Sequence, residues 1–291
     1  MGLKYTCKEI ATYEKDRLKR DIERIRNLSG ARAPKLVIVN TWETDASLAY
    51  CRGKIRDCKE IGIEVEYKAF GVEATINDVY SYLYELRHNF IAKGLIDGVI
   101  LQQPFNPSFT KYETNTLKNL IGPYEDVDGA LPRSFHIPAT VRGIYDYFRW
   151  NEVNLHGANA VIIGRSELVG KPLAKLLTDK DATVTLCHSK TDWAYLEHCV
   201  SLADIVVCAT GSELFTDKEI YVNFKDDVAV VDVGIRRTEE GLCGDIRRTN
   251  EEATSHATIT PVPGGVGLLT RVGLLKNVVD SWEGGLNVEE A

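Results

Sequence analysis

The 291-residue sequence lacks several features, and each absence narrows its class. It has no C-x-x-C pair and no zinc-ligand spacing. Its seven cysteines, an odd number, read as buried thiols in a reducing compartment, and no metal is expected. No apolar run approaches membrane-spanning length and no signal peptide is visible, so the expectation is a cytoplasmic protein with no membrane partner. Met1 to Thr6 formally matches an acylation pattern, but so short a match is the product of chance. There is no basic run, and a formal charge of −7 argues against nucleic acid as a partner. An anionic substrate stays open if a cleft is locally basic. Repeats, long linkers and low-complexity tracts are absent too, as is the common G-x-G-x-x-G fingerprint.

What is present is organised around Ala158 to Leu177. Val161 to Ile163 is a short β-branched run, the mark of a strand buried in a parallel sheet. Gly164 ends it, Pro172 sits where a first helical turn tolerates proline, and Leu173, Leu176 and Leu177 begin an apolar stripe. A strand, a turn carrying Gly164 and Gly170, and a helix N-terminus form a cradle for a dinucleotide pyrophosphate, because glycine admits the phosphate and free N–H groups attract it. The alternative is an αβ turn with glycines for tight packing only. The next strand, Ala182 to Cys187, ends in His188-Ser189-Lys190-Thr191, where an NAD site usually places an acid on the ribose. An acid there would repel a 2′-phosphate, whereas a hydroxyl with the Arg165 guanidinium would bind one, so NADP is the expected coenzyme.

A hydrophobic content of 44% supports a real core, and two α/β domains are expected. In the first half, a helix over Tyr5–Leu28 precedes a buried strand at Lys35–Val39, a helix over 46–61, an alternating strand from Ile63 to Phe70, a helix over 75–88 and a strand at Gly98–Gln102. This half has no glycine turn for a coenzyme and is read as the substrate domain. Residues 103–139 are punctuated by proline and glycine and lead to a bridging helix near Thr140–Trp150. In the second half, strands at 160–163, 182–187, 204–209 and 228–233 alternate with helices, and 251–258 reads as loop. Pro261, Pro263, Gly264 and Gly265 belong to a proline pair running into a flexible glycine set, Thr260 to Gly267. The last helix, with Leu268, Val272, Leu275 and Val279 on one face, is expected to return to the first domain. The fold class is thus two three-layer α/β domains, the second a Rossmann-like parallel sheet, with a cleft between them. The substrate domain is 1–139 with 268–291, and the coenzyme domain is 140–267.

Ser47, Tyr50 and Lys54 share one face of the helix over 46–61, which alone would read as a solvated polar face. Gln102, however, ends an apolar strand, where open α/β sheets bind ligands, and Asp128 lies in Tyr124-Glu-Asp-Val-Asp-Gly129 just after the first unit. A lysine, a glutamine and a carboxylate could meet at one mouth.

These residues resemble the methylenetetrahydrofolate dehydrogenase/methenyltetrahydrofolate cyclohydrolase family over nearly the whole chain. The segments that carry the resemblance are Tyr50-x3-Lys54, Gln102-Gln-Pro104, Glu125-Asp-Val-Asp-Gly129, Gly164-Arg-Ser-x2-Val-Gly-x-Pro172, Ala182-Thr-Val-Thr-x-Cys-His-Ser-x-Thr191 and Thr260-Pro-Val-Pro-Gly-Gly-Val-Gly267. The resemblance implies NADP-linked oxidation of 5,10-methylenetetrahydrofolate, then hydrolysis of the methenyl product to 10-formyltetrahydrofolate, the one-carbon chemistry that serves purine biosynthesis. It implies Lys54 as the key hydrolytic residue, with Gln102 contacting it, Tyr50 over the folate and Asp128 at the pterin; these four and Ser47 are the expected catalytic residues. Coenzyme contacts would fall on Gly164, Arg165, Ser166, Gly170, His188, Ser189, Gly211 and Ile235, with Pro261 to Gly265 lining the cleft. It also implies a homodimer, joined through the second domain.

Three segments depart from the family pattern. Pro138-Ala-Thr-Val141 replaces Pro-Cys-Thr-Pro, Asn40-Thr-Trp-Glu-Thr-Asp45 replaces a Gly-x-Asp-x-Pro loop, and Gly267-Leu-Leu-Thr270 replaces Gly-Pro-Met-Thr. None removes Lys54, Gln102 or Asp128, so both activities are expected. The competing readings are a dehydrogenase without hydrolysis, a shikimate-type NADP dehydrogenase, and a folate- or nucleotide-binding regulator without turnover.

Overall fold

The computed structural model describes residues 4–212, 224–239, 241–246 and 257–289. Met1 to Leu3 of the acylation-like segment, and most of the loop expected over 251–258, fall outside these.

The first sheet has three parallel strands in the order β2-β1-β3, with β1 Lys35–Asn40, β2 Glu64–Ala69 and β3 Gly98–Gln102. β1 is central, so both its faces must be covered and its apolar run is continuous. Leu36 and Ile38 point into one core with α1 (Cys7–Ser29), α2 (Asp45–Ile61) and α8 (Val266–Glu289), while Val37 and Val39 point into another with α3 (Ile76–Asn89) and α4 (Lys111–Asn119). β2 is an edge strand, and its exposed Glu64, Glu66 and Lys68 blunt that edge. In the last helix, Leu274, Leu275, Val278, Val279 and Trp282 join Leu18, Ile22, Leu36 and Ile38. Its buried positions run round most of the helix, a wider face than the single stripe of the sequence reading.

Among the described residues the second sheet has five parallel strands in the order β10-β7-β6-β4-β5. These are β4 Asn159–Ile163, β5 Thr183–Cys187, β6 Ile205–Cys208, β7 Ala229–Asp232 and β10 Thr258–Ile259. α5 (Ala139–Trp150), α6 (Gly170–Thr178) and α7 (Trp193–Leu202) accompany it. The chain enters at β4, moves one way to β5, then crosses back to β6 on the other flank of β4. That reversal makes the β4–β6 junction the topological switch point, and open α/β sheets bind ligands outside the carboxyl ends of the strands there.

The chain forms two compact units. Tyr13–Ala139 and Arg271–Ala291 make one; Met1–Thr12 and Thr140–Thr270 make the other, in their described parts. The N-terminal residues go with the second unit because the Tyr5 N–H donates to Asn151 Oδ1 at 2.9 Å and the Tyr5 ring meets Trp150 edge-on.

Several elements were not expected, the edge strand β10 among them, since the sequence reading gave this sheet no strand after 228–233. α4 stands inside the proline-rich stretch 103–139, started by a capping box in which Thr110 and Glu113 satisfy each other's backbone N–H. β8 (Arg236–Thr238) and β9 (Gly241–Cys243) form a short antiparallel hairpin. Among the described residues no helix is long and apolar enough to cross a membrane.

Candidate functional site

In the first unit the chemistry gathers on α2 and at the carboxyl end of β3. A capping box at Thr44 starts α2 and Gly62 ends it in the left-handed conformation, which fixes its length and rotation. Tyr50 and Lys54 stand one turn apart, but their environments differ. Lys54 is buried, and its Nζ donates to Gln102 Oε1 at 3.0 Å. The Gln102 amide donates in turn to the Gln103 carbonyl at 2.6 Å, so the oxygen is held toward the lysine. Tyr50 is 45% exposed and presents its ring at the surface; burial of its inner side pushes the phenol up, with Arg271 acting the other way. The flanking thiols are out of use as nucleophiles. Burial raises both Cys51 and Cys58, the latter to about 12 with help from Asp57.

Below this face Asp57 gathers three cations: Arg271 at 2.6 Å, Arg56 at 3.2 Å and Lys15 at 3.9 Å. Gly53 makes room for the Arg271 guanidinium, whose Nη1 lies 3.0 Å from where a Cβ would stand. These groups pin α2 to α8, and no periodic signal in the sequence marks them.

The loop carrying Asp128 separates two acids by role. Asp126 is buried and accepts from the N–H groups of Ala130 at 3.2 Å and Leu131 at 2.8 Å. Asn277 on α8 donates to the carbonyls of Val127 at 2.8 Å and Ile137 at 2.9 Å, holding the loop from the other side. Asp128 is half-buried, and no hydrogen bond among the described residues occupies its carboxylate. Ser47 has a structural duty. Its Oγ accepts from the Thr44 N–H at 2.9 Å and lies 3.1 Å from the Trp42 and Thr44 carbonyls, inside the cap of α2.

In the second unit the site is made of backbone. Gly164 adopts φ +121°, and a Cβ there would run into the Ala209 carbonyl oxygen and lie 3.4 Å from the Thr210 nitrogen. A Cβ on Gly170 would strike the Gly164 carbonyl, so the turn and the start of α6 touch backbone to backbone. Ser166 Oγ accepts from the N–H groups of Val169 at 3.2 Å and Gly170 at 3.4 Å, closing that turn. Arg165 is exposed beside it. At the end of β5 the His188 N–H donates to Thr191 Oγ1 at 2.9 Å and the Lys190 N–H to His188 Nδ1 at 3.1 Å; Ser189 sits exposed at the tip of this turn, and the turn holds no acid. Gly211, at φ +65°, follows β6. Ile235 is exposed, and its Cδ1 lies 3.9 Å from a Cβ position on Gly267, which brings the segment after β7 to the end of the proline–glycine segment. Pro261, Pro263 and Gly264 are exposed, while Gly265 is buried against the Pro261 carbonyl. No group of three or more metal-ligating side chains gathers among the described residues.

The first unit thus offers a buried amine held by an amide, and the second a glycine turn at the switch point of a doubly wound sheet. Together these define a two-unit α/β protein of the nucleotide-dependent enzyme class. Comparison with known proteins makes this specific. The model of the tetrahydrofolate dehydrogenase/cyclohydrolase catalytic domain matches residues 5–128, and that of the family's NAD(P)-binding domain matches residues 138–285. The chain belongs to the tetrahydrofolate dehydrogenase/cyclohydrolase family. A bifunctional protein FolD of Rickettsia bellii is 35% identical over 277 residues, covering 91% of this chain and 93% of that one. Among solved structures, the bifunctional methylenetetrahydrofolate dehydrogenase/cyclohydrolase of Campylobacter jejuni has a TM-score of 0.83 at 30% identity, covering 96% and 97% of the two chains. A methylenetetrahydrofolate dehydrogenase of the silkworm Bombyx mori has a TM-score of 0.85 at 30% identity, covering 99% and 100%.

Proposed function

We propose that this chain oxidises 5,10-methylenetetrahydrofolate with NADP and hydrolyses the methenyl product to 10-formyltetrahydrofolate. The observation that carries the reading is the buried contact between Lys54 Nζ and Gln102 Oε1 at 3.0 Å. A lysine brought out of water at the carboxyl end of a parallel sheet, paired to a neutral amide, is suited to proton transfer.

Oxidation needs no strong acid or base in the protein, because the two nitrogens flanking the methylene carbon stabilise the cation left behind. The chain's task there is orientation. Tyr50 offers a ring face to the folate, and the open Asp128 carboxylate matches the paired N–H donors of the pterin's amino-pyrimidine edge. NADP fits the second unit: Gly164 and Gly170 let the turn close backbone to backbone at the start of α6, whose first N–H groups suit a pyrophosphate, and Arg165 with Ser189 offers a cation and a hydroxyl, with no acid, to a 2′-phosphate. Bound there it supplies the hydride acceptor. In hydrolysis, water adds to the methenyl carbon and loses a proton to Lys54, whose amine Gln102 holds in place; the carbon–N5 bond then breaks as the hydroxyl proton passes to N5, leaving the formyl group on N10. The product feeds one-carbon units to purine biosynthesis in the cytoplasm, and the working form is a homodimer joined through the second unit.

The test follows methenyl absorbance with purified protein, methylenetetrahydrofolate and either NADP or NAD. Formation of the methenyl species with NADP and its subsequent decay are expected. No turnover with either coenzyme would overturn the reading. Formation without enzymatic decay would reduce it to a dehydrogenase.

A further inference from the structure

Two buried aspartates stand in the second unit behind the glycine turn, and the chemistry above does not use them. Asp232 ends β7; its Oδ1 accepts from the N–H groups of Gly234 at 3.2 Å and Asp245 at 2.9 Å, and its Oδ2 from that of Ile246 at 3.0 Å. Asp245 follows the β8–β9 hairpin and turns the other way. One oxygen, Oδ2, accepts from the Thr210 N–H at 2.7 Å, the Thr210 hydroxyl at 2.9 Å and the Gly211 N–H at 3.3 Å. Its other oxygen, Oδ1, is buried with no hydrogen-bond partner among the described residues, lodged against Gly234, where any Cβ would collide with it.

A fully buried carboxylate with an unmatched oxygen next to a second carboxylate is poor design for stability. Such a group persists where position matters more than stability. What Asp245 positions can be read outward: it fixes the Thr210 nitrogen, Thr210 and Ala209 are what Gly164 packs on, and Gly164 is what Gly170 packs on. The path runs from the carboxylate to the turn and helix start at the β4–β6 switch point.

We propose that Asp245 is a positioning residue for the coenzyme: through Thr210 and Gly211 it sets the floor on which the Gly164 turn lies, and with Asp232 it ties that floor to the β8–β9 hairpin. The proposal rests on the reading of this turn as the NADP site. It concerns a residue that touches no reacting atom, so its signature is a split between two activities of one protein. Coenzyme affinity depends on Asp245, whereas methenyl hydrolysis, which uses the first unit, does not.

The experiment uses Asp245→Asn. Asparagine keeps an acceptor but loses the charge that strengthens all three bonds. The KM for NADP and the Kd for NADPH are expected to rise about tenfold. Hydrolysis of methenyltetrahydrofolate without coenzyme should stay at the wild-type rate, and the melting temperature should not fall, because repulsion with Asp232 is relieved. Wild-type coenzyme affinity in this variant overturns the proposal. So does an equal loss of hydrolysis and coenzyme binding with a lowered melting temperature, the mark of a merely structural residue. Should D245N not fold, Thr210→Val decides: it removes one of the three bonds and keeps the backbone, and the expected rise in KM is about threefold. No rise in that variant is again fatal. Wild-type protein that turns over no NADP would instead remove the functional reading beneath the proposal, and the proposal falls with it.

Discussion

The two α/β units share an architecture of parallel strands wrapped by helices, yet they build their sites from different material. In the first, the working groups are side chains: Lys54 against Gln102, the Tyr50 ring and the Asp128 carboxylate. Their supports are side chains as well, Asp57 with Arg271 beneath α2 and Asn277 behind the Asp128 loop. In the second, the surface at the strand ends is backbone, made by Gly164, Gly170 and Gly211, with carboxylates buried behind it. The difference follows from the ligands. A pteridine presents directed donors and a reacting carbon, which only placed functional groups can answer. A pyrophosphate presents diffuse anionic oxygens, which peptide N–H groups answer at close range. The lesson is that truncating a side chain should be most damaging in the first unit, and adding a methyl group most damaging in the second.

The sharpest break in that comparison is Lys54→Met. It keeps the stem and volume but removes the amine, and proton transfer by a placed side chain contributes roughly 10²- to 10⁴-fold. Methenyl hydrolysis should fall by that amount, while hydride transfer to NADP, which needs no such group, keeps much of its rate. Stopped-flow absorbance separates the two steps. Hydrolysis at the wild-type rate would mean that Lys54 is only a structural partner of Gln102.

Next in size is Gly170→Ala. The added carbon meets the Gly164 carbonyl, so the turn or the helix must shift. Forcing extra volume into a packed contact costs about 1–3 kcal/mol. NADP-dependent oxidation should drop about thirtyfold, the middle of that range converted to rate, and coenzyme-free hydrolysis should not change. An unaltered KM for NADP would show that the close approach serves packing alone. A smaller effect is expected from Arg165→Ala, since an exposed guanidinium contributes less than a buried one. The KM for NADP should rise about tenfold and that for NAD scarcely. Equal changes for both coenzymes would remove the 2′-phosphate argument.

How far the sequence foretold this arrangement also differs between the units. The strands were legible in both because a buried parallel strand leaves a dense β-branched run, as at Leu36–Val39 and Val161–Ile163. The glycine turn was legible because its chemistry is local, with Gly164 and Gly170 a few residues apart. Lys54 and Gln102 are 48 positions apart, and spacing showed only a polar helix face and a strand end. Their pairing is a tertiary fact, and the roles assigned to them came from family resemblance. Asp57 with Arg271, Asn277 with the Asp128 loop, and Asp245 with Thr210 are also long-range contacts without periodicity, so no window of sequence could display them. α4 was hidden for a different reason. Its capping box, Thr110-Lys-Tyr-Glu113, is plain in the sequence, but the surrounding prolines and glycines suggested loop throughout. The β8–β9 hairpin is short and mostly polar, without the alternation that marks a half-buried strand.

The smallest expected effect probes the second unit's buried carboxylates through pH. Burial pushes the Asp232 carboxyl above its usual value, and neighbouring Asp245 adds to the shift, while the accepted backbone N–H groups pull the other way. The same surroundings raise the fully buried Cys208 thiol. A carboxyl with a raised folded value binds its proton more tightly in the folded than in the unfolded chain. Its contribution to stability is therefore complete below the unfolded value, about 4 for aspartate, and is lost as pH rises through the folded value. Asp232→Asn removes that titration. The difference in melting temperature, wild type minus D232N, should be largest in mild acid and should shrink as pH rises toward neutrality. Calorimetry of both proteins over that range reads it directly. A difference that grows with pH would mean that Asp232 is ionised at a depressed value, held by the three N–H groups rather than strained by Asp245, and the contrast between a unit run by charged side chains and one run by backbone would lose its thermodynamic footing.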